Sequence, residues 1–182
     1  MLMRSFTFLS ALLLPVLASA ADIDSGPALD SAVPALTVQA VAGLEAGKKL
    51  DFAAARKDKP TVFVFIQSEN FGRPVARYLK VLDTAMAGKD VAIVAVWLTD
   101  DAEKTREYLP KVQMSLKLET TALSYDPDNK TGPNAWVLHE KAFVTTIVSD
   151  GKKVRARFGH QSINDTMVPE VEAAVKKLTE KK

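Results

Sequence analysis

The sequence has no cysteine among its 182 residues. That excludes disulfides, cysteine-ligated zinc, iron–sulfur clusters and every thiol nucleophile at once. Histidine is nearly as scarce: His139 and His160 are the two present. No His-x-His or His-Glu-x-x-His spacing occurs, so a metal site has little to be built from. An excess of charge of one sign is missing too. The formal net charge of +2 gives no electrostatic footprint for nucleic acid. No cofactor motif and no internal repeat appears, and no cofactor or metal is expected. What is present is a composition 47% apolar and 25% charged, the balance of a globular chain, at a length suited to one domain.

One long apolar run occurs, at the start. Residues 1–20 read MLMRSFTFLSALLLPVLASA. Arg4 precedes an apolar stretch over 6–17, and Ala18-Ser19-Ala20 has the small-x-small form of a signal-peptidase site. The stretch is shorter than the roughly 20 residues of a membrane span. We expect residues 1–20 to be a signal peptide and the product to be exported, to a periplasm or beyond, with no membrane span after cleavage; the alternative is an uncleaved anchor. Residues 21–34 are small, acidic and without apolar periodicity, so they read as a flexible leader. Residues 35–182 read as the folded domain.

Two continuous apolar, β-branched segments, at 61–66 and 91–98, have the pattern of parallel strands buried on both faces. Between them, about 71–87, Phe71, Val75, Tyr78, Leu79, Leu82 and Met86 make one helical stripe, completing a right-handed βαβ unit. A second helix over about 101–117 has Asp100 or Asp101 as cap, and Pro110 should kink or divide it. A strand at 121–125 leads to the turn residues Asp126-Pro127-Asp128-Asn129 and a short helix over 133–139. A hairpin turning at Asp150-Gly151 and a helix over about 164–179, capped by Asn164, close the chain. A half-buried strand at 36–41 and a short one at 50–52 open it, followed by one helical turn over 52–57. Helices are expected on both faces of the sheet.

Three segments carry a family resemblance. Gly47-Lys48-Lys49-Leu50-Asp51-Phe52 leads to Lys59-Pro60-Thr61-Val62-Phe63-Val64-Phe65. Tyr125-Asp126-Pro127-Asp128 precedes Trp136-Val137, and Thr146 to Val154 spans the Asp-Gly hairpin. Together they resemble the thioredoxin-like superfamily, in its alkyl hydroperoxide reductase and thiol-disulfide reductase branch, over nearly the whole of 35–180. The resemblance implies an α/β fold: a central mixed sheet flanked by helices, with an N-terminal β-hairpin and a βα insert. In that family a reactive cysteine sits where the first central strand meets its helix, where helix N–H groups and the macrodipole stabilise a thiolate. The resemblance sets Asn70 and Arg73 at the two cysteine positions. The family's cis-proline before the hairpin is also missing, since that stretch reads Lys141-Ala142-Phe143-Val144-Thr145. Both losses argue against thiol-disulfide exchange and thiol peroxidase activity.

The remaining candidates cluster at the same junction: Ser68, Glu69, Asn70, Arg73 and Arg77. Ser68 is a nucleophile only with a base and an oxyanion hole, and nothing in the sequence places either histidine beside it. Otherwise Ser68 or Asn70 caps the helix. Arg73 and Arg77, four apart, share a helix face. With the helix N-terminus they form a carboxylate or phosphate site, or else a solvated face in which Glu69 pairs with an arginine. Gly159-His160 reads as a turn. The row Lys153, Arg155, Arg157 is either a contact for nucleic acid or an acidic membrane surface, or protection of a sheet edge. Trp97 and Trp136 read as core anchors, Trp136 as the more exposed of the two.

Two classes of function remain. One is a non-redox binding or structural module that takes a protein, a peptide or a small anionic ligand near 68–77. The other is an enzyme with non-cysteine or partner-supplied chemistry. An oligomeric envelope scaffold is a third, weaker reading.

Overall fold

The computed structural model describes residues 23–180, so the expected signal peptide lies outside the described residues. The body is one mixed seven-stranded sheet. Its strands are β1 (Thr37–Gly43), β2 (Lys49–Asp51), β3 (Thr61–Gln67), β4 (Ala92–Leu98), β5 (Thr121–Tyr125), β6 (Val144–Ser149) and β7 (Val154–His160). The spatial order is β2-β1-β5-β4-β3-β6-β7. β3 pairs in parallel with β4, and β4 with β5; every other neighbour is antiparallel. Residues 61–66 are all buried, because β3 has strands on both sides and packed layers above and below, as its unbroken apolar pattern requires.

Among the described residues four α-helices accompany the sheet: α1 (Phe52–Ala55), α2 (Arg73–Met86), α3 (Ala102–Leu116) and α4 (Val168–Thr179). Helices were expected on both faces, and the two faces are covered unequally: one carries only the short α1 and the Asn134–Trp136 turn. α2, α3 and α4 all pack on the face carrying Val62, Val64, Ile66, Ile93 and Ala95. The reason is topological: β3 to β4 and β4 to β5 step in the same direction, and two right-handed crossovers stepping the same way put both helices on one side. The opposite face is sealed by Leu36, Phe52 and Trp136 over Phe63, Phe65, Val94 and Val96.

Trp136 is fully buried, not exposed. Its ring lies 4.9 Å from both Phe63 and Phe65, and its indole N–H donates to the Ala35 carbonyl at 3.0 Å. The helix expected over 133–139 is a single 3-10 turn, Asn134–Trp136. It stops because Val137 adopts the left-handed region at φ 47, a costly conformation for a β-branched residue. Pro110 does not divide α3, which runs unbroken from Ala102 to Leu116. Asn164 caps the 3-10 turn Asp165–Met167 that leads into α4, its side chain accepting from the Thr166 N–H, and not α4 itself, whose N-cap is Met167. Gly159-His160 is still strand, the end of β7, rather than a turn.

Residues 23–34, expected as a flexible leader, are a strap laid along β7. The Ile23 N–H donates to the Gly159 carbonyl, the Asp30 N–H to that of Val154, and the Val33 N–H to that of Lys152, at 2.8–2.9 Å. These backbone bonds and the buried Ser25, whose hydroxyl lies 2.6 Å from that of Thr145, hold the strap, and charge supplements them. Asp24 pairs with Arg157 at 2.6 Å, and Asp30 pairs with Arg155, which also holds Asp150 at 2.7 Å. The acidic leader and the basic row on β7 are the two halves of one contact. Gly159 makes the approach possible, since a Cβ there would collide with the Ile23 carbonyl oxygen.

Candidate functional site

The parallel strands end side by side at Gln67, Leu98 and Tyr125, and the sheet's direction of winding reverses at β3. In open α/β sheets this edge is where ligands bind. Beyond β3 the chain makes a 3-10 turn, Ser68–Asn70, and enters α2 through Gly72. Gln67 fixes the turn. Its N–H donates to the Phe143 carbonyl at 3.0 Å, its Nε2 to the Glu140 carbonyl at 2.6 Å, and its Oε1 accepts from Asn70 Nδ2 at 2.9 Å. The junction is thereby stitched to the segment ahead of β6. No cis peptide bond occurs there or elsewhere among the described residues.

Neither Ser68 nor Asn70 caps α2. Gly72 is the N-cap and makes no side-chain cap bond. The 3-10 turn holds both side chains a few residues too early. Pro74, in the first turn, removes one N–H that would otherwise need a partner.

Two clefts flank the turn and share Ser68, Glu69, Thr99 and Asp100. The first, of about 360 Å³, runs toward the loop ahead of β6 and adds Lys130, His139 and Glu140. The second, of about 370 Å³, is walled by Phe71, Trp97 and Tyr108, with Asp101 and Lys104 at its rim. The Phe71 ring lies 5.0 Å from Trp97 and 6.0 Å from Tyr108, edge to face with the latter. Behind that aromatic ridge a groove of about 410 Å³ between α2 and α3 carries Arg73 and Lys111.

The five predicted residues are therefore spread over separate places. Ser68 and Glu69 line both clefts. Asn70 is tied to Gln67. Arg73 faces the α2–α3 groove, and Arg77 is held by Asp165 at 2.8 Å, a solvent-exposed pair worth little. No arginine pairs with Glu69 among the described residues.

His139 shares the first cleft with Ser68, a proximity the sequence separation concealed. Its Nδ1 accepts from the Lys141 N–H at 3.1 Å, so the neutral ring carries its proton on Nε2 and cannot take another from Ser68 there. His160 is buried in β7 with Nε2 3.7 Å from Glu170 Oε1. Among the described residues no three His, Asp or Glu side chains converge as a metal would need. Asp126, beside the edge of the sheet, is pushed up from the usual carboxylate range, chiefly by burial, although the Asp128 N–H opposes this.

Sequence reasoning missed Phe71, Thr99, Asp100, Tyr108, Lys130 and His139 as lining residues. A signal existed: all but Tyr108 and His139 lie in segments at or just past the carboxyl ends of the parallel strands, where the fold class puts ligands.

No family model matches the chain, and no curated protein matches it in sequence. Solved structures do match in fold. An uncharacterized conserved protein from Geobacillus kaustophilus superposes with a TM-score of 0.69 at 20% identity, over 94% of this chain and 89% of its own. A peroxiredoxin-like protein from Aquifex aeolicus gives 0.58 at 13%, over 87% and 92%. The yeast mitochondrial 1-Cys peroxiredoxin gives 0.60 at 15%, over 85% and 78%. The chain has the thioredoxin-like fold, and its neighbours include peroxiredoxin-like proteins. It shares their scaffold and contains no cysteine.

Proposed function

We propose that this chain is an exported binding module that uses a thioredoxin-like scaffold without redox chemistry, with the junction at 68–77 as its contact surface. The observation that carries the reading is the pair of clefts flanking the cysteine-free Ser68–Asn70 turn at the carboxyl edge of the parallel strands. A fold does not fix a function, and a site without a thiol has no means of disulfide exchange of its own. The partner class is a protein or peptide long enough to cross the aromatic ridge. A small anionic ligand, the other class considered, has Arg73 and Lys111 in the adjoining groove. Export rests on the pattern of residues 1–20.

Two measurements test the reading. Capture from the native envelope with the purified domain is expected to retain a partner that Arg73→Ala releases. Turnover of dithiol or peroxide substrates by the purified protein is expected to be absent, and measurable turnover overturns the proposal.

A further inference from the structure

The cleft walled by Phe71, Trp97 and Tyr108 has its own chemistry, and the geometry points to a compact organic cation, an alkylammonium or guanidinium group, as its occupant. This rests on the reading of the junction as a binding surface and adds what that surface selects.

Three features converge. The first is the walls. Phe71 stands 6.0 Å from Tyr108 at 81° and 5.0 Å from Trp97; Trp97 is almost fully buried beneath them, so the accessible ring surface is that of the half-buried Phe71 and the exposed Tyr108. Aromatic faces attract cations through their quadrupoles, and guanidinium or alkylated ammonium groups lose little hydration against such rings. The second is the rim. Glu69, Asp100 and Asp101 line this cleft with one ammonium, that of Lys104; Lys130 lies across the turn in the first cleft. Asp101 is occupied as the cap of α3, accepting from the Lys104 N–H at 2.9 Å. Glu69 and Asp100 make no ion pair among the described residues.

The third is what the cleft does not offer. The Thr99 hydroxyl accepts from the Asp101 N–H at 3.0 Å and from the Thr105 hydroxyl at 3.1 Å, so it is already engaged. An anion here would meet three carboxylates. The positive end of α3 would favour an anion, but Asp101 at the cap and Glu103 in the first turn oppose it. A neutral apolar group would desolvate Glu69 and Asp100 without compensation. Cationic side chains lie instead behind the ridge, where Arg73 and Lys111 line the neighbouring groove. At about 370 Å³ the cleft holds one such head group and part of its stem.

The test is a titration of the isotope-labelled domain followed by NMR. The probes are ethylguanidinium, tetramethylammonium, a short peptide with a single arginine, and ethylurea as the neutral shape control. The cations are expected to give saturable shifts at the Trp97 indole N–H and at amides 68–71 and 100–105, and ethylurea none. Tyr108→Leu is expected to weaken cation binding about two- to fivefold. Glu69→Gln is expected to weaken it and flatten its salt dependence, and Lys104→Ala to tighten it. Tighter binding of the arginine peptide than of ethylguanidinium identifies a partner's side chain as the source; the reverse identifies a free small molecule.

No saturable shift, an equal response to ethylurea, or binding unchanged in both Tyr108→Leu and Glu69→Gln overturns the assignment. If the cations fail while a captured partner still perturbs amides 68–70, the cation falls and the binding module stands.

Discussion

Asp83 offers a stringent test of how this fold is held. It lies on α2, is almost fully buried, and pairs with no cation among the described residues. Four donors converge on its carboxylate instead. The Glu119 N–H reaches Oδ2 at 2.9 Å. The Thr120 N–H and the Thr120 hydroxyl reach Oδ1, both at 2.9 Å, and the Thr121 hydroxyl reaches it at 2.7 Å. An acceptor-only group facing four donors is fully matched. The bonds fasten the C-terminal half of α2 to the start of β5, so the first crossover helix fixes where the third parallel strand begins.

In Asp83→Ala the two hydroxyls can turn toward other acceptors, but the two backbone N–H groups cannot. Glu119 is exposed and Thr120 half-buried, so water takes up part of what a buried, unpartnered donor would cost, and the loss is expected at the low end, about 2 kcal/mol in all. For a chain of this size that corresponds to a fall in Tm of roughly 4–8 °C. Asp83→Asn keeps the shape but can set an amide N–H against the Glu119 N–H, and should lose about half as much. Urea denaturation monitored by far-UV circular dichroism reads both. The second arm is a double-mutant cycle. Thr121→Val alone should cost about 1 kcal/mol and, in the Asp83→Ala background, nearly nothing, because its partner is already gone. A loss below 1 kcal/mol for Asp83→Ala, or additivity with Thr121→Val, refutes the claim that these donors depend on this carboxylate.

Other predictions concern the strap, the hairpin and the junction. Gly159→Ala is expected to displace the Ile23 carbonyl, speed amide exchange at Ile23 and Gly26, and cost about 1–3 kcal/mol; retained protection at those amides would show the crossing is not steric. Burial works to raise the Asp150 pKa, but the Lys153 and Lys152 N–H groups and Arg155 outweigh it and hold the pKa below the usual range. The stability from a lowered carboxylate pKa is present above the unfolded value and lost as pH falls through the folded one. Asp150→Asn should therefore flatten the acid limb of denaturant midpoint against pH between about 5 and 2, and an unchanged limb would assign it to other groups. Asp126 has the opposite sign, chiefly through burial: its contribution is present at low pH and lost as pH rises through the raised value. Asp126→Asn is thus expected to raise the midpoint at neutral relative to acid pH, and a lowered one would contradict that sign. Arg73→Glu should stabilise the fold by roughly 1 kcal/mol, by replacing a cation with an anion at a helix N-terminus, while abolishing partner capture; a loss of stability would show that Arg73 has a structural role instead.

The parts of this fold legible in the sequence are those governed by periodicity and local chemistry. The unbroken apolar runs placed β3 and β4 to within a residue, and the 3.6-residue stripe of Val75, Tyr78, Leu79, Leu82 and Met86 placed α2. Asn164 is a cap because its chemistry is local. What was illegible depends on pairing across sequence. Nothing near Asp24 and Asp30 says that Arg157 and Arg155, more than a hundred residues on, will meet them. An acidic segment without apolar periodicity therefore reads as flexible and is in fact docked. The placement of all three long helices on one face was derivable in principle. It needed only the spatial order of β3, β4 and β5, which the handedness rule converts to a side.

The junction shows the same division. Its location follows from the strand pattern, but its composition only makes sense in three dimensions. In sequence, Ser68, Glu69, Asn70, Arg73 and Arg77 form one short cluster. In space the 3-10 turn sends Ser68 and Glu69 to the sheet edge and Asn70 back to Gln67, while Arg73 lines the α2–α3 groove and Arg77 pairs with Asp165. The scaffold's helix N-terminus, which in a thiol enzyme faces an anion, here opens with Arg73 and has no acidic residue in its first turn. That arrangement works against the macrodipole, and a local rule broken without visible compensation marks a position to be tested for function rather than stability. Arg73, the aromatic ridge and Glu69 lie in order across this edge, which sorts charge by side. The junction contains no cysteine and is recessed and walled by aromatic residues, features that suit recognition and require no thiol.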